Sequence, residues 1–395
     1  MAQRQTCTRC VTHSGVPGVW FDDAGVCSYC HLHDRLEAQW PIGDEGRRLL
    51  EAEVERIQRQ GRGKDYDCIV GVSGGTDSTY LLYLARQLGL RPLAVHFDNG
   101  WNSETAVSNI KQALNVLDTD LQTYVVDWDE FKDVLIAYLK ASLPWADAPT
   151  DLAIDATLYR VAAAEGVRTI LNGSSFRTEG KMPAEWTYTD GRMARTIQRR
   201  LGTVPFRSYP NLTLAQFARY TFLKRIHTLR PLNFIDYHKD QAREVIEREL
   251  GWRYYGGHHH ESIYTRFVYC YLLPVKFGVD KRIVTHSALV RSGEMTRQAA
   301  LDDLERPALP PDRVAEDVAY VRGKLGLSQD AFDAILAAPA RSFRDYPSYY
   351  PLFEKLAGVM HRVLRPILPW TPPFLIELEQ RKAAARAAAA QTEGR

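Results

Sequence analysis

From Asp67 onward, short apolar runs alternate with amphipathic stretches, and that rhythm predicts the fold. Residues 68–72, 92–97, 122–126 and 169–171 read as buried parallel strands, rich in Val, Ile and Leu on both faces. Between them, periodicity near 3.6 predicts helices over 79–88, 103–117, 129–141 and 151–165. The repeated strand–helix alternation predicts an α/β protein with a doubly wound parallel sheet. A last strand is expected at 231–235 and a helix at 239–250, with mostly helical pattern beyond Gly257. The Gly-, Arg- and aromatic-rich stretch 173–230 has weak periodicity and predicts loops over the sheet edge.

Texture changes divide the chain. Residues 1–45 have little apolar content of their own and predict a module that a metal must hold. A helical connector spans 46–64, ending at Gly61-Arg62-Gly63, and the α/β unit spans 65–250. A mostly helical substrate or partner region over 251–378 follows, then a flexible, Ala- and Arg-rich tail over 379–395.

Composition narrows the classes. The 395 residues, 45% hydrophobic and 25% charged, are those of a soluble globular protein. Fifty Lys plus Arg against 48 Asp plus Glu give a net charge of +2, so nucleic acid is not an expected partner. No run is long and apolar enough for a membrane span, and the start Met1-Ala2-Gln3-Arg4-Gln5 lacks a secretory apolar region, so a cytoplasmic protein without membrane association is expected.

In a reducing compartment, Cys7-x2-Cys10 and Cys27-x2-Cys30, sixteen residues apart, fit a four-cysteine structural zinc site. Four thiolates fill the zinc shell and leave no open position for chemistry. Cys68 and Cys270, each among apolar residues, predict core packing, and neither stands in the setting of a nucleophile.

The strongest chemical signal is the junction of the first strand and helix, Ser73-Gly74-Gly75-Thr76-Asp77-Ser78. Consecutive backbone N–H groups at a helix start attract an anion, and glycine lets the main chain approach it. Hydroxyls of Ser73, Thr76 and Ser78 add donors, and Asp77 offers a carboxylate to metal or water. The lysine of a Walker loop is absent, as is the dinucleotide fingerprint. The segment resembles the PP-loop of the ATP pyrophosphatase superfamily, with its adenine nucleotide alpha hydrolase-like sheet, whose members hold the β and γ phosphates there and transfer AMP to a carbonyl oxygen. A plain capped helix start is the alternative.

Two further segments end strands on the same carboxyl edge. His96, Phe97, Asp98 and Asn99 close the second strand, while Asn172 and Gly173 follow the fourth; by the resemblance both flank the adenosine. Arg177 and Lys181 follow as candidate substrate ligands, and Glu179 as a second metal ligand or acid–base group, or all lie on a solvated loop. Downstream, His259, His260, Glu261 and Arg266 gather around a helix start after Gly256-Gly257, which suits substrate recognition. Three successive histidines point in different directions, so they do not make a metal site alone. Lys276, Lys281 and Arg282 are candidates for binding a nucleotide diphosphate, though solvated cations are common.

The four-cysteine module, the Ser73–Ser78 loop and the segment from Gly251 to Arg266 together resemble the N-acetyl sugar amidotransferase family of surface-polysaccharide (lipopolysaccharide, O-antigen) biosynthesis, over Cys7 to about Leu304. His258 stands where that family leads one to expect lysine, and no role is placed on it. The resemblance implies that ATP, with Mg²⁺, adenylates the acetamido oxygen of a nucleotide-linked sugar and that ammonia then displaces AMP to leave an acetamidino group. Asp77, Glu179, His259, His260 and Glu261 are the candidate catalytic residues for this chemistry. The resemblance also implies a separate glutaminase subunit as the ammonia source, possibly with a cyclase-like partner, since no glutaminase nucleophile is recognisable in the chain. Two alternatives stand beside it: a PP-loop tRNA-thiolating adenylase, and a non-catalytic zinc- and nucleotide-binding scaffold.

Overall fold

In the computed structural model, which describes residues 4–257, 259–364, 375–378 and 382, five strands form one parallel sheet. They are β1 (Cys68–Gly71), β2 (Pro92–Asp98), β3 (Leu121–Val125), β4 (Thr169–Leu171) and β5 (His227–Leu229), in the order β3-β2-β1-β4-β5. The order reverses between β1 and β4, which pair Ile69 with Ile170 and Val70 with Leu171. That reversal opens a crevice at the carboxyl ends of β1 and β4, where open α/β sheets take their ligands.

Helix α1 (Ser28–Gln39), inside the cysteine module, is unexpected, whereas α2 (Gly43–Gln60), α3 (Thr76–Gln87), α4 (Glu104–Leu117), α5 (Trp128–Ala141) and α6 (Ala148–Ala164) follow the expected rhythm within a few residues. Alternation along the strands separates two layers. Cys68, Val70 and Ala94 pack with Leu81 and Leu82 of α3, whereas Ile69, Leu93 and Val95 pack with Leu158 and Val161 of α6. Helix Lys239–Leu250 joins the α3 layer. The start of α4 is fixed by Ser103, whose hydroxyl accepts from Ala106 N at 3.2 Å, and that of α5 by Asp127, which accepts from Glu130 N at 3.1 Å.

Three expectations are corrected. The third strand is not buried: β3 lies at the sheet edge, with Leu121 42% and Val125 67% exposed. The last strand is His227–Leu229, because Pro231 has no N–H for a ladder and starts a 3-10 turn over Pro231–Asn233 instead. The stretch 173–230 also carries an 11-residue helix, Gly191–Leu201, which buries Met193, Ala194 and Ile197.

The N-terminal segment is held by more than its cysteines. Cys7, Cys10, Val16, Leu32, Leu36 and Trp40 belong to the same buried cluster as the sheet. Arg297 donates to the carbonyls of Cys7 and Cys10 at 2.9–3.2 Å, and the hydroxyls of Thr12 and Ser287 meet at 3.0 Å. His258 lies outside the described residues, as does the predicted tail from 379 on, Lys382 excepted.

Candidate active site

The loop between β1 and α3 takes its shape from two close approaches. Gly74 has φ +78°, and a Cβ there would lie 2.3 Å from the carbonyl oxygen of Ala106, so only glycine fits. A Cβ on Gly173, after β4, would lie 2.9 Å from the carbonyl oxygen of Asp77, so the two crevice walls touch through their backbones. Trp252 Nε1 donates to the Gly74 carbonyl at 2.9 Å and anchors the turn. Hydroxyls meet the loop amides: Ser73 Oγ accepts from Gly75 N at 3.2 Å, and Tyr255 OH from Thr76 N at 3.2 Å. Ser73 Oγ and Ser78 Oγ lie 3.1 Å apart. The amides and hydroxyls of the turn thus converge at the start of α3, the geometry of an anion cradle.

A cavity of about 630 Å³ opens above this loop. Ser73, Gly75, Thr76, Asp77 and Ser78 line one side, with His96, Phe97, Asn99, Asn172 and Gly173 beside them. Glu179 enters from a short helix, α7 (Phe176–Glu179), and His259 and Glu261 enter from the segment before helix Ile263–Phe267. Glu261 Oε1 accepts from Ser73 Oγ at 3.4 Å and lies 3.6 Å from His259 Nδ1. Burial alone would raise the Glu261 carboxyl, but His259, a backbone hydrogen bond and the Lys239 charge together lower it below its ordinary range. Its other oxygen, Oε2, is buried and has no donor among the described residues.

Asp77 differs from its expected use. Its carboxylate accepts from Tyr237 OH on one oxygen and from Lys239 Nζ, 2.9 Å away, on the other. Both oxygens are engaged, so Asp77 acts on Lys239 instead of standing open to a metal. Burial alone would lower the Lys239 ammonium, but Asp77, with Glu179 and Glu261, holds it above its ordinary value. Lys239 therefore brings a permanent positive charge to the cavity wall that reading the sequence missed. Its one signal was its position, the first residue of the predicted helix at 239–250.

Several candidate cations are held elsewhere. Arg177 is buried and donates to the carbonyls of Asn233 at 2.8 Å and Trp40 at 2.7 Å. Arg266 is paired with Asp317 through two 2.6 Å contacts. Arg282 bonds Asp280 and Asp303, and Lys181 lies 3.8 Å from Glu377. Lys276 caps carbonyls near Ile335 and Ala338. These five stabilise loops and helix ends and do not line the cavity. His260 packs beside Gly257 and Cys270, and burial first, then Arg266, lowers its imidazole to about 4. Asp98 caps Gly100 N at 3.0 Å, outside the cavity lining. Lys281 is buried with its Nζ 3.8 Å from the centre of the Tyr269 ring, behind the cavity wall.

The cavity lining also holds carboxylates without counterparts in the expected set. Asp147 and Asp151, one helical turn apart at the start of α6, line it with Trp145, Thr150, Thr265 and Tyr269. Their sequence signal is an acidic stripe at 147, 151 and 155 on an alanine-rich helix.

The four cysteine sulfurs are fully buried, with Sγ separations of 3.6–3.8 Å for Cys7–Cys30, Cys10–Cys27 and Cys27–Cys30. A tetrahedron with Zn–S bonds of 2.3 Å has edges of about 3.8 Å, so the four thiols fit a single tetrahedral metal ion.

Fold and loop together define an α/β protein with a five-stranded parallel sheet, a glycine-rich loop between β1 and α3, and an N-terminal four-cysteine cluster. Residues 261–357 match the family model described as LPS biosynthesis protein WbpG-like, C-terminal domain. That stretch is similar to the WbpG-like domain, and it begins at Glu261 in the cavity wall. No curated protein matches the sequence. Solved structures with a similar course of chain include NMN synthetase from Francisella tularensis, at 12% identity and TM-score 0.34, covering 71% of this chain and 96% of that one. NH3-dependent NAD synthetase from Campylobacter jejuni aligns at 13% identity and TM-score 0.27, over 72% of this chain and 97% of that one. The U34-tRNA thiolase of Methanococcus maripaludis, solved with its 4Fe–4S cluster, aligns at 14% identity and TM-score 0.32, over 83% and 90%. Among the described residues no helix is long and apolar enough to cross a membrane.

Proposed function

We propose that the protein is an ATP-dependent amidotransferase of surface-polysaccharide biosynthesis, forming an acetamidino sugar from a nucleotide-linked N-acetyl sugar with release of AMP and pyrophosphate. The observation that carries this reading is the loop at the β1–β4 reversal, whose amides and hydroxyls converge opposite Lys239 in a cavity continuous with the WbpG-like domain.

The loop would grip the β and γ phosphates, and Lys239, held by Asp77, would offset charge on the departing pyrophosphate. Asn99, His96 and Asn172, which line the cavity, would meet the nucleoside. Glu261 is a carboxylate beside the phosphate cradle, and its undonated Oε2 would be a ligand for Mg²⁺, which would neutralise the polyphosphate. Cys7, Cys10, Cys27 and Cys30 would hold zinc as a structural ion. An amide oxygen leaves poorly, and adenylation converts it to AMP, which ammonia can displace. The reading places the enzyme in the cytoplasm, with ammonia supplied by a separate glutaminase subunit.

Incubation with ATP, ammonium and a panel of UDP-linked acetamido sugars tests this. The expected product is lighter by the difference between an oxygen and an NH group, and it forms in step with AMP. An unchanged sugar mass with every donor would refute it.

A further inference from the structure

We infer that the outer layer formed by residues 191–225 docks the protein peripherally on an anionic lipid surface. None of the residues involved lines the cavity, so this surface stands apart from the chemistry assigned there.

Charge is segregated in this layer. From Gly191 to Ile235 the chain has nine Lys and Arg and no Asp or Glu, while its net charge is +2, so the rest of the chain is net negative. Arg192, Arg195, Arg199 and Arg200 are the exposed residues of helix Gly191–Leu201. Glu130 and Asp133, which α5 directs at the layer, are buried and accept from the backbone amides of Arg207, Ser208, Thr203 and Val204. Their charge is therefore spent inside. Exposed cations elsewhere pair along their own helices, as Arg59 does with Glu55 and Arg313 with Glu316. The four arginines have no such carboxylate among the described residues.

Apolar surface adjoins them. Asn211 Nδ2 donates to the Gly191 carbonyl at 2.9 Å, and Thr213, which caps the next helical segment, lines one groove with Arg192, Arg195 and Arg199. That segment runs over Leu214–Ala218 and continues as a π-helical turn, Arg219–Leu223. Tyr220 fastens it by stacking on Tyr159 of α6, with ring centroids 5.7 Å apart. Phe222 is left 45% and Leu223 79% exposed, and Arg219, Lys224 and Arg225 are exposed around them.

Charges of both signs fix the register of a protein interface, and this layer has one sign only. A nucleic acid would meet the arginines, but its phosphates offer no apolar medium to a leucine that protrudes so far. A bilayer with anionic headgroups meets both features: the cations lie against the headgroups while Phe222 and Leu223 enter the acyl boundary. Such a contact needs no helix long enough to span the membrane, and none is found among the described residues. Whole-chain composition, which argued against membrane association, averages the layer away.

The full-length protein is sedimented with vesicles of phosphatidylcholine alone and of phosphatidylcholine mixed with phosphatidylglycerol. Binding to the mixed vesicles alone is expected, falling steeply as salt rises. Leu223→Asp should weaken it about tenfold or more through lost apolar burial. Arg195→Glu combined with Arg199→Glu should weaken it at least as much, at about fivefold for each cation lost. All these side chains are exposed, so the melting temperatures and the affinity for ATP should stay those of the wild type. No preference for the mixed vesicles, or binding that either variant retains, overturns the proposal. Tighter binding to a nucleic-acid duplex than to the mixed vesicles at the same salt overturns it as well, and would make the arginines ligands of a phosphate backbone.

Discussion

Substituting Gly74 isolates the steric demand of the phosphate loop. Alanine at this position must hold φ near +78° and bring its Cβ to 2.3 Å from the Ala106 carbonyl oxygen, where about 3 Å is the closest tolerable approach. Gly63 supplies the control, since its φ is +74° and nothing lies within 4 Å of its would-be Cβ. The left-handed backbone is common to both and costs about 1–2 kcal/mol for a residue with Cβ. Only Gly74→Ala adds overpacking, about 1–3 kcal/mol as the loop and the start of α4 move apart. Urea unfolding should therefore give a loss of about 1–2 kcal/mol for Gly63→Ala and about 2–5 kcal/mol for Gly74→Ala. Displacing the turn also strains the Trp252 contact to Gly74, so ATP binding by calorimetry should weaken in Gly74→Ala alone. Equal stability losses in the two variants, with unchanged ATP affinity, would refute the close-approach argument.

Breaking the buried Arg266–Asp317 pair with Arg266→Ala should destabilise by about 3–5 kcal/mol, and Arg266→Leu with Asp317→Leu should recover much of that in a double-mutant cycle; an additive double mutant would contradict the pairing. Asp147→Asn should stabilise the protein at alkaline pH. Burial raises the folded carboxyl from 3.8 to about 6, so its ionisation penalty is absent below the unfolded value and grows as pH rises through the folded one. The gain should be about 2–3 kcal/mol at pH 8 and vanish toward pH 4, and a gain independent of pH would exclude this cause. Removing metal with a chelator should lower the melting temperature of the wild type and leave Cys27→Ser, already metal-poor by atomic absorption, unmoved; an indifferent wild type would show that the thiols hold no structural ion.

What was legible in the sequence follows the range of each interaction. The β1–loop–α3 junction was readable because a buried run, a Gly-Gly turn and an apolar helix are contiguous, and the paired cysteines because each pair sits in one tight turn. Distance along the chain hid the rest. Arg266 has the same sequence signature whether it faces a phosphate or Asp317, 51 residues away, and only folding decides. Arg177 likewise closes a gap between the Trp40 and Asn233 carbonyls that no local pattern announces. Asp77 drew attention as a metal ligand, yet Lys239 claims it from a helix 162 residues on. The strand at His227–Leu229 was misplaced because its three residues are outweighed by the more apolar, proline-led stretch after it.

The central claim is that the β1–α3 loop holds a departing pyrophosphate. ATP labelled separately at the α and γ phosphorus, incubated with ammonium and an accepted nucleotide-linked acetamido sugar, should yield labelled AMP and labelled pyrophosphate in equal amounts, and Lys239→Met should slow both together. Sugar-dependent formation of ADP and free phosphate would contradict it.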